Sequence, residues 1–539
     1  MPSDAMEIPS PMAAESFRRH SILFSTGLAT LLACAVLLPL LGHKPLTDWD
    51  EGIYAEVSRE MLSRSWLVPH WNQQPWFEKP PLEMWITAAL FRIFGVNEFC
   101  ARAASALSGV ALVAALHGWL AARRDALTAW LSTILLLATF GFLHVCRVGE
   151  TDVLLSLGCV LALIGLCEID RGTLSGWWLF WVGFAIAAMT KGAAAVVLPL
   201  TAILFAAMQR WRTGRFTRAC WLGLALFLAL VLPWHLAMFH LYGGRFLEEY
   251  FGLHVLIRAT EQMEGHATHG WYYLKVLLVS APPFVLLYLI ALMHAFRPTR
   301  TNPLVVPPAA PQRVGEPCIY NLRVFAVFAI VVVVLFSLVQ TRLPHYIAPA
   351  YPALAVVTAA YLADRLRPLL ASARPRRFWI RLALPTAAIW AGSVVMTAPA
   401  RKSLHSATLA DGATLPDNKE SIALLRNAFS GPQSGLATQD AGQDAGPLLL
   451  WREGRISSIA TDVFYSRHQV QQVTLRPLPS ASQVDRYTFN PEPLAEAVGD
   501  RPSLILLDKT LVPQIPAAFV YKPIHSGQTV ELGTIARLR

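Results

Sequence analysis

Apolar runs close to the roughly 20 residues that a helix needs to cross a bilayer recur between positions 21 and 399 of this 539-residue chain. Within lipid only helices and closed barrels satisfy every backbone polar group, and runs of this length read as helices. Hydrophobic residues make up 55% of the chain and charged ones 15%, which excludes a string of soluble domains. The runs fall at 21–41, 99–121, 126–145, 153–169, 177–189, 193–208, 220–239, 271–295, 324–339, 347–362 and 379–399, predicting eleven spans. The first is too long for a signal peptide and lacks a small-residue cleavage site, so it reads as an uncleaved span. Two further segments, the amphipathic 52–65 and the short apolar 82–95, read as helices lying on the membrane surface.

Arginines sort the loops. Arg18 and Arg19, Arg123 and Arg124, the run Arg210 to Arg218, the loop 297–323 and the run Arg365 to Arg377 all fall on one side, which the positive-inside rule makes the inner one. An odd number of spans then puts the C-terminus outside. Beyond Pro399 the composition becomes mixed, with strand-like runs at 448–451, 473–475 and 504–507 and a Gly-, Gln- and Asp-rich loop at 430–446. The expected organisation is an all-α polytopic membrane domain over 1–400 and a small α/β domain outside the membrane over 401–539.

The net charge is +10. Residues 401–539 hold 14 Lys and Arg against 13 Asp and Glu, leaving 31 against 22 before them, a surplus of +9. That surplus fits membrane topology and anionic lipid and calls for no nucleic acid. All seven cysteines precede position 401 and no Cys-x-x-Cys occurs, so no disulfide is expected in the tail.

Charged and aromatic residues gather at successive outer ends: Asp48, Asp50 and Glu51; Glu78 and Lys79; Glu150 and Asp152; Lys191; Arg342, His345 and Tyr346. The outer loop 241–269 adds Arg258, His266 and His269, among others. Each has an ordinary reading. Asp48 or Asp50 can cap the helix that follows, Glu51 complements its positive end, Asp152 can cap another helix, and Lys191 can simply mark a loop. Their recurrence on one face favours function, since charges at membrane depth tend to be functional. Lys79, Lys191, Arg258 and Arg342 suit a phosphate. Asp50 and Asp152 suit orientation or deprotonation of an acceptor, or capture of a cationic group. No nucleotide-binding loop is present, which favours a lipid-linked phosphate donor. His266 and His269 near Glu78 have the types for a divalent metal, but two histidines on an outer loop are more often just polar, and no metal is assigned.

Four blocks occur in order: Asp50-Glu51-x-x-Tyr54-Ala55-Glu56-x-x-Arg59-Glu60-Met61, Phe77-Glu78-Lys79-Pro80-Pro81, Thr190-Lys191-Gly192 and Arg342-Leu343-Pro344-His345-Tyr346. Over about 20–400 the chain resembles the polyprenyl-phosphate-dependent GT-C glycosyltransferases, in the branch of the bacterial 4-amino-4-deoxy-L-arabinose:lipid A transferases, relatives of the protein O-mannosyltransferases. The resemblance implies a multi-pass protein of the bacterial inner membrane with about thirteen spans, a periplasmic site, an undecaprenyl-phosphate-linked sugar as donor and no required cofactor. It implies an inverting transfer to a lipid A phosphate, with Asp50, Asp152 and Lys79 catalytic. Asp48, Glu51, Tyr54, Arg59, Glu78, Lys191, Arg258, His266, Arg342 and Tyr346 would bind substrate. Arg342 stands where the family usually has lysine, and the tail matches nothing in the family. Transfer to protein or glycan hydroxyls is the alternative. A lipid-phosphate or glycan transporter is disfavoured, because no internal repeat is visible.

Overall fold

The computed structural model describes residues 11–47, 49–209, 217–257, 260, 271–282, 284–297, 322–372, 419–430, 447–451, 460–474, 492–498 and 502–538. These fall into two compact units. One holds the chain up to Leu40 and the helices from Ala104 to position 372; the other takes Leu41–Ala103 with the described residues from 419 onward. The segment 41–103 shares a core with the described C-terminal residues.

Among the described residues, six helices are long and apolar enough to cross a membrane, or up to eight if each bent pair is one span. Helix Arg323–Leu338 is apolar but shorter. The two expected spans 177–189 and 193–208 fall within one apolar stretch, Ser175–Met208, interrupted where Gly192 takes a φ of 44°. The expected span 126–145 is a pair, Ala126–Ala138 and Phe140–Cys146, bent by 72°. At the break the Thr139 hydroxyl donates to Leu135 O at 2.8 Å and lies 2.9 Å from Tyr288 Oη. The helix pair Tyr272–Ser280 and Val285–Ala295 is bent by 116°. The last expected span, 379–399, lies outside the described residues.

Helices Asp152–Asp170 and Ser175–Lys191 pack closely. Their seam holds four glycines with reciprocal contacts. A Cβ on Gly158 would stand 2.6 Å from Gly183 O, and one on Gly183 would stand 2.5 Å from Gly158 O. Gly165 and Gly176 repeat this, each 2.7 Å from the other's carbonyl oxygen. Small residues let helix backbones approach where no water drives apolar surfaces together, and van der Waals contact must do the work. The loop between these helices is short, so they run antiparallel. The N-terminus of the first, at Asp152, therefore lies beside the C-terminus of the second, at Lys191.

The second unit opens with helix Asp50–Ser63. Trp49 occupies the N-cap position there with a φ of 66° and no capping hydrogen bond, while Asp50 and Glu51 sit in the first turn. Strands β1 (His70–Trp71) and β2 (Gln74–Pro75) form a hairpin whose turn residues, Asn72 and Gln73, have φ of 50° and 67°, as a mirror-image two-residue turn requires. Helix Leu82–Phe94 follows, within the short apolar segment expected at 82–95.

The C-terminal residues form the expected α/β arrangement. Strands β3 (Leu448–Trp451), β4 (Val470–Thr474), β5 (Glu492–Pro493) and β6 (Ser503–Asp508) run parallel, and the hairpin β7 (Phe519–Ser526) and β8 (Val530–Arg537) adds antiparallel to β6, in the order β5-β4-β3-β6-β8-β7. All four residues of β3 are buried, as a central parallel strand covered on both faces should be. Leu449 and Trp451 enter one core with Ile505, Leu507 and Ile535. Leu448 and Leu450 enter the other with Ile53, Tyr54, Val57 and Met61 of the surface helix and Met84, Ala88 and Phe91 of the next.

Polar contacts reinforce that shared core. Asn72 acts like a strand neighbour of Val470, its Nδ2 donating to Val470 O at 3.0 Å and its Oδ1 accepting from Val470 N at 2.9 Å. Tyr465 Oη accepts the Leu46 N–H at 2.8 Å and donates to Glu98 at 3.1 Å.

Candidate functional site

The hairpin of the first unit ends in a charge pair. Lys191 Nζ donates to both carboxylate oxygens of Asp152 at 2.8 Å, and the side chains are 12% and 2% exposed. The ammonium also stands 4.7 Å from the centre of the Tyr346 ring, a cation–π distance. Tyr346 belongs to the single helical turn Pro344–Ile347, whose His345 Nδ1 lies 3.6 Å from Glu150 Oε2. Tyr273 Oη donates to Leu343 O at 3.2 Å just before that turn. Two of the sequence blocks, Thr-Lys-Gly and Arg-Leu-Pro-His-Tyr, thus meet at one spot with Asp152.

Ligand atoms of Glu150, Asp152 and His345 lie within 4.8 Å of one another. These are suitable donors for a divalent ion, but Asp152 spends both oxygens on the Lys191 ammonium, whose charge opposes a cation there. Arg342 donates from Nε to Val339 O at 2.9 Å and from Nη2 to Ser337 O at 2.8 Å. It thereby caps the C-terminal carbonyls of helix Arg323–Leu338, where a cation also complements the helix dipole.

In the second unit Asp50 is half-buried at the start of its helix. Glu51 is almost fully buried and accepts from Arg102 Nε at 2.6 Å and Nη2 at 3.0 Å. It also accepts from the Thr47 N–H at 2.6 Å and hydroxyl at 2.9 Å. Arg102 is absent from the residues picked by motif. Its signal in the sequence is an arginine inside the otherwise apolar run 99–121, a position where charge is costly without partners.

Tyr54 is buried, its ring edge-on to Trp76 with centroids 6.1 Å apart. Lys79 and Glu78 are buried neighbours with Nζ and Oε2 3.9 Å apart. Arg59 donates to Glu56 from Nε at 2.7 Å and Nη2 at 2.5 Å. Asp48, Arg258, His266 and His269 lie outside the described residues.

One turn along, Glu60 is 4% exposed and accepts from the Gln73 N–H at 2.9 Å. Arg64 Nε stands 3.3 Å from its other oxygen. Burial, with the neighbouring Glu56 charge adding to it, pushes its carboxyl from 4.5 up to about 7.

With the geometry in place, the chain can be set against known proteins. Residues 78–236 match the model of the dolichyl-phosphate-mannose-protein mannosyltransferase family. That stretch contains Glu78, Lys79, Glu150, Asp152 and Lys191. The undecaprenyl phosphate-alpha-4-amino-4-deoxy-L-arabinose arabinosyl transferase of Pectobacterium carotovorum is 30% identical over 348 residues, 63% of this chain and 59% of that protein. The protein of the same name from Erwinia tasmaniensis is 30% identical over 354 residues, 64% of this chain and 59% of that protein. The chain therefore matches about three-fifths of the length of these curated relatives.

Among solved structures, ArnT from Cupriavidus metallidurans bound to undecaprenyl phosphate superposes with a TM-score of 0.68 at 20% identity, covering 94% of this chain and 97% of that one. This chain has the ArnT fold. An oligosaccharyltransferase from Archaeoglobus fulgidus superposes over 92% of the chain and 70% of its own, with a TM-score of 0.50 at 10% identity. The ArnT fold carries over both the helical part and the C-terminal sheet, since nearly the whole of each chain is superposed.

The Glu60 carboxyl yields a pH prediction. Its folded pKa lies above the unfolded value, so its stabilising contribution is complete below about 4.5 and is lost as pH rises through about 7. Glu60→Gln, which keeps the shape and removes the charge, is expected to melt at a higher temperature than the parent at pH 8 and to lose that advantage at pH 5. Parallel thermal melts in detergent check this, and a difference independent of pH contradicts it.

Proposed function

We propose that this chain is an inverting glycosyltransferase that moves 4-amino-4-deoxy-L-arabinose from undecaprenyl phosphate to a phosphate of lipid A. It would act at the periplasmic face of the bacterial inner membrane. The observation that carries the reading is the Lys191 ammonium held by both Asp152 oxygens against the Tyr346 ring, built from two blocks of the resemblance. The ArnT fold and the arabinosyl transferase relatives support it.

In the proposed reaction an oxygen of the acceptor phosphate bonds to the sugar C1 while the bond from C1 to the lipid phosphate oxygen breaks. Positive charge builds on the ring and negative charge on the departing undecaprenyl phosphate. A lysine stabilises that leaving charge, with Lys191 in this role. One such electrostatic contact contributes about 2.7–4 kcal/mol to a transition state. A phosphate acceptor is already ionised near neutral pH and needs no strong base. Asp50 would then orient the sugar through its ammonium group, a charge-assisted contact, while Asp152 holds the Lys191 ammonium in place. A hydroxyl acceptor, as the mannosyltransferase family match suggests, would instead need a carboxylate as base.

The test uses the purified chain with lipid A and two donors on the same lipid phosphate, one bearing the amino sugar and one a neutral sugar. Mass spectrometry is expected to find the aminoarabinose added to lipid A. Asp50→Asn should lose more with the amino sugar than with the neutral one. Equal losses of about 10²–10⁴-fold with both donors would favour base catalysis on a hydroxyl. No transfer by the parent chain would overturn the reading. Its sidedness is checked by reporter fusions after Glu78 and Arg401, both expected to report the periplasm; a cytoplasmic signal from either overturns it.

A further inference from the structure

Asp50 follows a stretch of chain whose conformation nothing local explains. Trp49 stands at φ 66° and ψ −128°, a left-handed backbone that a bulky residue adopts only when its surroundings force it. The residues before it, 41–47, form no helix or strand. Glycine would relieve the conformation at Trp49, yet tryptophan stands there, so the restraint must come from elsewhere.

Arg102 supplies such a restraint. This side chain is 6% exposed, and its guanidinium makes five hydrogen bonds. Nη1 donates to Leu41 O at 2.9 Å and to Lys44 O at 2.7 Å. Nη2 donates to Pro45 O at 2.8 Å and to Glu51 Oε2 at 3.0 Å. Nε donates to Glu51 Oε1 at 2.6 Å. A guanidinium has five N–H donors in a fixed fork, so the set is complete. Three bonds fix carbonyls before Trp49 and two fix the carboxylate after Asp50. Glu51 closes the ring by accepting the Thr47 N–H and hydroxyl. The chain is thus held on both sides of Asp50 by one planar group.

We infer that Arg102 is a positioning residue for the transfer reaction, fixing Asp50 through the carbonyls of 41–45 and through Glu51. This rests on the proposed function only in giving Asp50 a role; the clamp itself is structural. Lysine cannot replace it, because an ammonium offers three donors with no planar fork.

Arg102→Lys keeps the charge and tests the inference in the full-length chain. The turnover number should fall by about 10²-fold, the scale for a reacting group displaced by about 1 Å, with the KM for the lipid donor little changed. Combined with Asp50→Asn, it should cost no more than Asp50→Asn alone, because both act on one group. Additive losses, which a general structural defect would produce, overturn the inference, as does activity within about threefold of the parent. If Arg102→Lys does not fold, Glu51→Gln takes its place in the same cycle with the same criterion. Hydrogen exchange of the 41–51 amides gives a readout independent of catalysis. Faster exchange confined to that segment supports the clamp even if the parent chain transfers no sugar, and unchanged exchange overturns it.

Discussion

Helices Asp152–Asp170 and Ser175–Lys191 touch backbone to backbone along four glycines, and the candidate chemistry of the first unit depends on that contact. Asp152 begins one helix and Lys191 ends the other. Their side chains meet at 2.8 Å only if the antiparallel helices keep both register and distance. In a membrane, close packing of small residues is a main source of such precision, because apolar surfaces gain little from meeting each other. The glycines therefore act on the charge pair from a distance: they set where its two ends stand. Tyr346 and the turn Pro344–Ile347 are then brought against a pair already in place.

The second unit solves the same problem with polar groups. Its surface helix carries Asp50 at one end and buries Ile53, Tyr54, Val57 and Met61 in a core shared with β3, β4, β6 and β8. The C-terminal sheet thereby gives the surface segment a rigid backing, with Asn72 bonded to Val470 and Tyr465 to Leu46. Arg102 and Glu51 then hold the remaining loop, where no regular structure supplies backbone partners.

How much of this the sequence discloses depends on whether the signal is local. Residues 448–451 are a run of three leucines and a tryptophan, and they form β3 with those limits because both faces of the sheet are covered. The helices expected at 52–65 and 82–95 appear within a few residues of those limits, because their periodicity is local. The break at Thr139 has no proline, and its tertiary partner Tyr288 lies 149 residues away, so residues 126–145 read as one straight span. Conversely Pro233 looks like a breaker and lies inside helix Arg218–Leu247. At the candidate site, residue types and order are legible, while contacts are not. Motif and charge cannot distinguish a carboxylate aimed at a substrate from one that holds a loop, and the Glu51 carboxylate does hold one. Nor do they reveal that Lys191 and Asp152, 39 positions apart, form a single pair.

The dependence of the charge pair on the glycine seam can be measured directly. Gly183→Ala adds one methyl group far from any charged atom, yet that carbon would stand 2.5 Å from Gly158 O and 2.6 Å from Ala162 N. Both are backbone atoms, so the helices must part. The rate of the proposed transfer by the folded Gly183→Ala chain should fall by about tenfold or more, in line with the sensitivity of reacting groups to small displacements. A folded variant that transfers at the parent rate would contradict the account, because the Asp152–Lys191 pair would then owe nothing to the contact that brings its helices together.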